Sequence, residues 1–214
     1  MTQINPHLLQ RVEHYGESIS DARVVVVLLH GRMHAPEYMN EFVVQRLRFS
    51  DVAFIAPEAT DNSWYPKSFL VPLGENQPGI DHTMQRLDQL GSELLNLDIP
   101  AQRIVWCGFS QGACAVSQFV ALHPRRWGGL IAFTGGLIGP PGTRWDIAGD
   151  FAGMPAYFCT SDIDQFVPEF RINESAAVFE AAGAEVKVEL LIGREHEISD
   201  VEIVQAQVLL SKVN

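Results

Sequence analysis

The chain has 214 residues, 47% of them hydrophobic, and a formal net charge of −11. These values exclude a disordered chain and fit one domain, 1–214, with a full-sized core and residues 1–22 as an N-terminal extension. The acidic balance, with no basic run longer than Arg125-Arg126, excludes a nucleic-acid partner, since phosphate binding rests on clustered Lys and Arg.

Taken in chain order, Met1 to Pro6 carries no charged n-region followed by an apolar h-region, and no secretory signal is read there. The first apolar run, 24–29, reads as a strand and is far too short to span a membrane, so no integral membrane association is expected. A helix follows over 36–47, opened by Pro36 and Glu37, and then a strand over 52–56. A long connection, 57–79, leads to a helix over 80–97. Next come a strand at 103–108, a helix at 111–122 and a strand at 129–133. A second long connection, 134–154, is rich in Gly and Pro and contains Trp145. A strand at 156–160, a helix at 169–182 and a strand at 186–191 precede the last helix at 199–211, which has Ser199 as N-cap and Glu202 three residues on. Cys107, Cys114 and Cys159 lie inside these apolar stretches. An odd set of buried thiols suggests a reduced, cytoplasmic protein, and their spacing is not that of metal ligands.

The nearly continuous β-branched runs predict strands buried on both faces. Their alternation with helices predicts an α/β fold, a mainly parallel central sheet with helices on both faces. Right-handed crossovers bring the C-terminal strand ends to one rim, where ligand sites in such sheets lie. Other functional residues are therefore expected just after strand ends.

The strand at 103–108 runs into Gly108-Phe109-Ser110-Gln111-Gly112 and then a helix of small residues. In a strand-turn-helix setting, G-x-S-x-G places the serine hydroxyl on a sharp turn at the sheet edge, the position of a nucleophile in acyl transfer. The glycines remove side chains that would collide where strand and helix pack closely. A serine hydroxyl needs a base, and in this arrangement the order along the chain is Ser, acid, His. Only His123 and His196 follow Ser110. His123 lies a helix length away and suits packing or capping, whereas His196 follows the strand at 186–191 and is the base candidate. The acid should follow the strand at 156–160, where Asp162 and Asp164 stand. Asp164 is favoured because a strand end needs a turn first, and Asp162 stays open as acid or as a turn-shaping residue. Oxyanion donors are expected from the backbone N–H of Gln111, after the nucleophile, and of Arg32, after His30-Gly31. The Arg32 side chain has two readings, an anionic substrate group or a solvated salt bridge. The two long connections are expected to wall an apolar acyl or aryl pocket, with Met33, Trp64, Tyr65, Phe69 and Phe166 as its residues.

These residues together resemble the phospholipase/carboxylesterase family of α/β-hydrolases, which includes acyl-protein thioesterases, over about 23–211. The markers are Leu28-Leu29-His30-Gly31, Gly108-Phe109-Ser110-Gln111-Gly112-Ala113, Asp164 with Val167-Pro168, and His196-Glu197-Ile198. Asn62-Ser63-Trp64-Tyr65-Pro66 looks like the substrate-loop motif of bacterial members. The resemblance implies the α/β-hydrolase fold and a cofactor-free serine esterase acting on short to medium acyl esters or thioesters, aryl and lysophospholipid esters included. It also implies a homodimer. Arg32-Met33-His34, where many members have Leu-Gly-Asp, looks closer to bacterial carboxylesterases than to acyl-protein thioesterases. Glu195 stands where the family tends to have glycine. Two alternatives accompany the esterase reading. One is a dienelactone-type hydrolase, which would carry cysteine at the nucleophile. The other is a hydrolase-fold ligand binder without turnover.

Overall fold

A computed structural model describes residues 4–213. Seven strands form one sheet: β1 (Val12–Gly16), β2 (Val24–Leu29), β3 (Val52–Pro57), β4 (Ile104–Phe109), β5 (Gly129–Phe133), β6 (Pro155–Ser161) and β7 (Glu185–Leu191). Their spatial order is β1-β3-β2-β4-β5-β6-β7. Every pairing from β3 to β7 is parallel, and β1 lies antiparallel on β3 with Val12 opposite Pro57 and Gly16 opposite Ala53.

The apolar runs become strands because both faces of the sheet are covered. Val25, Val27 and Leu29 pack toward α3 (Gly79–Asn96), α4 (Gln111–Leu122) and α5 (Glu169–Ala181). Val24, Val26 and Leu28 pack toward α1 (Pro36–Met39), α2 (Gln45–Leu47) and α6 (Asp200–Lys212). Period-two alternation thus divides one continuous run between two cores.

Three features depart from the sequence-based expectations. Residues 1–22, read as an extension, contribute β1, whose Val-Glu-His-Tyr-Gly has neither an apolar run nor full burial. An edge strand that buries little leaves little trace in composition. Burial on both faces fails for β7, whose residues are all at least partly exposed, as suits the opposite edge. The helix expected over 36–47 is interrupted by a π-helical turn, Asn40–Val44, between α1 and α2. Met39, Val43 and Leu47 are all buried. Their spacing of four exceeds the 3.6-residue repeat, and one wide turn keeps them on the sheet-facing side.

The capping box at the start of α6 forms as expected: the Ser199 side chain accepts from Glu202 N–H, and the Glu202 side chain accepts from Ser199 N–H. Among the described residues no helix is long and apolar enough to cross a membrane.

Candidate active site

Strand β4 ends in a turn that holds Ser110 at φ 53° and ψ −117°. A non-glycine residue in this region is strained, and packing must hold it there. Ser110 N–H donates to Phe133 O at 2.9 Å, and Ser110 O accepts from Cys114 N–H at 3.0 Å. The flanking glycines permit the turn. A Cβ on Gly112 would stand 2.3 Å from Leu29 O, and one on Gly108 would stand 2.5 Å from the Gly112 backbone.

His196, in the loop after β7, places Nε2 2.8 Å from Ser110 Oγ and Nδ1 2.7 Å from Asp164 Oδ2. Asp164 follows β6, and its Oδ1 accepts from Phe166 N–H and Val167 N–H, both at 2.9 Å. Burial works to raise the Asp164 pKa. The bonds from His196 and the two backbone N–H groups outweigh it and leave the carboxyl below its ordinary range. Asp162 has a different task. Its Oδ1 accepts from Gly193 N–H at 2.7 Å, tying the turn after β6 to the loop that carries His196.

Arg32 follows β2 and Gln111 follows β4, at the same end of two neighbouring parallel strands. Met33 and His34 donate their N–H groups to Asn62 O and Gly31 O, whereas among the described residues neither Arg32 N–H nor Gln111 N–H donates to a protein acceptor. Gly31 lets this loop come close, since a Cβ there would stand 3.3 Å from Ser110 Cβ.

Among the described residues the Arg32 side chain forms no salt bridge. Its guanidinium donates to the carbonyls of Tyr65, Pro66 and Lys67, so it ties down the 62–67 loop. The Gln111 side chain acts on the same loop: Oε1 accepts from Trp64 N–H at 3.0 Å and Nε2 donates to Tyr65 O at 2.7 Å.

Ser110 and His196 open into a cavity of about 410 Å³, lined by Met33, Tyr65, Phe69 and Phe166 among others. Met33 and Phe166 are 83% and 65% exposed and stand at its mouth, while Tyr65 and Phe69 are buried. Trp64 is a correction. It does not line the cavity; it is fully buried beneath the site, with Nε1 donating to His30 O at 2.8 Å. An indole N–H buried beside a free backbone carbonyl is satisfied in the core rather than in a pocket. The connection 134–154 is a second correction, since none of its residues lines this cavity. Trp145 donates to Ile138 O and receives the Arg171 guanidinium on its ring, so this segment packs on itself and on α5.

Sequence reasoning missed His34, Phe109 and Cys114 as lining residues. Cys114 had a readable signal: four residues after Ser110 on a helix is the same face one turn on. His34 had none, because its place depends on stacking against Tyr38 at 3.9 Å.

Behind the site, His30 is a fully buried neutral imidazole. Nε2 accepts from Ala59 N–H at 3.1 Å, which leaves the proton on Nδ1 to donate to Gly31 O at 2.8 Å. Burial pushes its pKa down to about 4. Among the described residues no group of three or more His, Cys, Asp or Glu is placed to hold a metal ion.

A mostly parallel sheet with helices on both faces, and with a Ser-Asp-His constellation gathered at one rim from successive strand ends, defines an α/β-hydrolase. The chain belongs to the phospholipase/carboxylesterase family, whose model matches residues 14–214. That makes it a hydrolase of the group acting on ester bonds. The structure is similar to that of a phospholipase/carboxylesterase from Dyadobacter fermentans, with a TM-score of 0.87 and 35% identity over 95% of this chain and 97% of that one. In sequence it is similar to acyl-protein thioesterase 1 of Yarrowia lipolytica, 33% identical over 127 residues, or 51% of this chain. That match spans 56% of the Yarrowia protein's own length. The acyl-protein thioesterase 1 of Eremothecium gossypii is 24% identical over 69% of this chain and 68% of its own.

Proposed function

We propose that the protein is a serine carboxylesterase that cleaves short to medium acyl esters through an acyl-enzyme on Ser110. The observation that carries this reading is the unbroken hydrogen-bonded chain from Ser110 Oγ through His196 to Asp164. In this reading His196 Nε2 takes the hydroxyl proton as Ser110 Oγ attacks the ester carbonyl. Asp164 keeps the Nδ1 proton oriented toward itself and stabilises the imidazolium. The tetrahedral oxyanion is received by the N–H groups of Arg32 and Gln111, which donate to no protein acceptor among the described residues. Collapse breaks the bond to the leaving oxygen, and His196 returns the proton to the departing alcohol. Water, deprotonated by the same imidazole, then releases the acid and restores Ser110.

The largely apolar lining formed by Tyr65, Phe69, Phe109 and Val167 supports an acyl or aryl group in the cavity. Similarity to two acyl-protein thioesterases supports thioester cleavage as the second reading. A cytoplasmic place of action is supported by three buried free cysteines. The homodimer implied by the family belongs to the same reading, and sedimentation at assay concentration tests it.

Ser110→Ala is expected to keep the fold and lower kcat on p-nitrophenyl esters by roughly 10³-fold or more. Retained hydrolysis in that variant rules out the mechanism. A chain-length series of p-nitrophenyl esters beside an acyl thioester separates the two substrate readings by their kcat/KM.

A further inference from the structure

Arg194 and Glu202 lie outside the Ser-His-Asp constellation, yet both are buried against the loop that carries His196. In the ion pair their side chains are 6% and 0% exposed, and Arg194 Nε stands 3.5 Å from Glu202 Oε2. A charge pair removed from water is costly unless its remaining hydrogen-bonding groups are satisfied. Among the described residues Arg194 Nε makes no hydrogen bond and meets Glu202 through charge alone, while the other guanidinium bonds converge on the residues around His196. Arg194 Nη1 donates to Glu195 O at 2.5 Å and to Glu197 O at 2.8 Å, the carbonyls on either side of His196. Arg194 Nη2 donates to Thr134 Oγ1 at 2.7 Å, just past the end of β5. Glu202 completes the frame. Its Oε1 accepts from Cys159 Sγ–H on β6 at 2.9 Å, and its Oε2 accepts from Ser199 N–H and Oγ–H at 2.7 and 2.8 Å.

We infer that Arg194, held by Glu202, is a positioning residue for His196. The inference rests on the reading of Ser110, His196 and Asp164 as catalytic. One planar guanidinium bonds the backbone on both sides of the imidazole and ties it to the end of β5, while the carboxylate paired with it by charge is bonded to β6 and to the N-cap of α6. The loop is tied elsewhere, at Gly193 N–H by Asp162 Oδ1 and at Ile198 O by Arg46 Nη1, but the carbonyls on either side of His196 are held by Arg194. His196 is bracketed by Glu195 and Glu197, both exposed, and the backbone there closes on itself through Glu197 N–H to Glu195 O. An imidazole that must meet Ser110 Oγ on one side and Asp164 Oδ2 on the other tolerates little displacement, because misplacement of about 1 Å can cost ~10²-fold in rate. Arginine is required rather than lysine, since a single ammonium cannot reach two carbonyls, a hydroxyl and a carboxylate from one fixed plane.

Two variants test this. Glu202→Gln keeps the capping box, which accepts glutamine, and removes the charge that fixes the guanidinium. Arg194→Lys keeps the charge and removes the fork. Each is expected to lower kcat at least tenfold with KM within twofold of wild type. Each should also broaden or shift the low-field proton resonance of the His196 Nδ1–H bonded to Asp164. Wild-type kcat in both variants overturns the inference. So does a loss of activity that follows a loss of folded protein while the resonance of the folded fraction is unchanged, because that is a purely structural role. Should either variant fail to fold, Thr134→Val removes one arm of the fork and leaves the ion pair intact, with a smaller fall in kcat and the same resonance change expected; wild-type values for both there overturn the inference. Ser110→Ala separates the levels: activity surviving in it removes the catalytic reading itself, whereas inactivity there with wild-type kcat in E202Q and R194K removes only the role of Arg194.

Discussion

At the scale of single residues, the site depends on protonation states fixed by hydrogen bonding at Asp164 and by burial at His30. Asp164 carries its charge because three donors converge on it. His30 stays neutral because its Nε2 is committed to Ala59 N–H and no water reaches it. Its pKa of about 4 lies below the ordinary 6.5, so between those values the unfolded chain binds a proton that the folded chain refuses. The contribution is complete above pH 6.5, falls as the pH drops through that window and levels off near pH 4. It amounts to roughly 3 kcal/mol. Chemical denaturation of wild type and His30→Gln at pH 7 and pH 4.5 should show the stability difference between them shrinking at the lower pH. An equal difference at both pH values contradicts the neutral, buried assignment.

At the scale of elements, the turn from β4 to α4 is the most constrained part of the chain. Gly112→Ala would put a methyl group against Leu29 O and His30 O. His30 O is already the acceptor for Trp64 Nε1, so the clash reaches the loop that carries Trp64. A cost of ~3 kcal/mol is expected, lowering Tm by about 10 °C. Calorimetry giving a wild-type Tm would mean that strand and helix do not approach as closely as described. The legibility of the sequence follows the same lines. Strands β2 to β6 and the serine turn were readable because burial on two faces and close backbone contact leave strong marks, as continuous Val, Ile and Leu runs and as obligatory glycines. The edge strand β1 buries one side of a polar sequence and leaves no such mark. Chain order pointed to Ser110 and His196 and narrowed the acid to Asp162 or Asp164, with Asp164 favoured, and the structure brings Ser110, His196 and Asp164 together. Trp64 could not be placed, because its direction is decided by a hydrogen bond to His30 O, which sequence spacing does not reveal. The task of the Arg32 side chain was hidden for the same reason: it depends on three carbonyls more than thirty residues away.

At the scale of the molecule, the parallel sheet gathers residues from distant parts of the chain at one rim. Arg32 follows β2, Ser110 follows β4, Asp164 follows β6 and His196 follows β7. The N-terminal segment supports this rim from behind. Asn5 donates to His82 O at 2.8 Å, and His7 accepts from Thr60 N–H at 3.0 Å while its other ring nitrogen faces Trp64 O at 3.2 Å. The 60–67 loop is thus fixed from the site side by Arg32 and Gln111 and from the far side by His7. His7→Ala would leave Thr60 N–H without its acceptor, at a cost of ~2 kcal/mol. A raised KM for p-nitrophenyl esters is expected with it, since Tyr65 and Phe69 lie in the same connection. Denaturation and steady-state kinetics check the pair of effects, and a wild-type KM would separate the N-terminal segment from the site. The central claim concerns the atom that forms the bond to the acyl group. Intact-mass analysis and peptide mapping after treatment with a fluorophosphonate probe address it directly. One adduct on the peptide carrying Ser110, blocked by prior incubation with ester substrate and absent from Ser110→Ala, is the predicted result. An adduct on another residue, or none while ester hydrolysis continues, would contradict it.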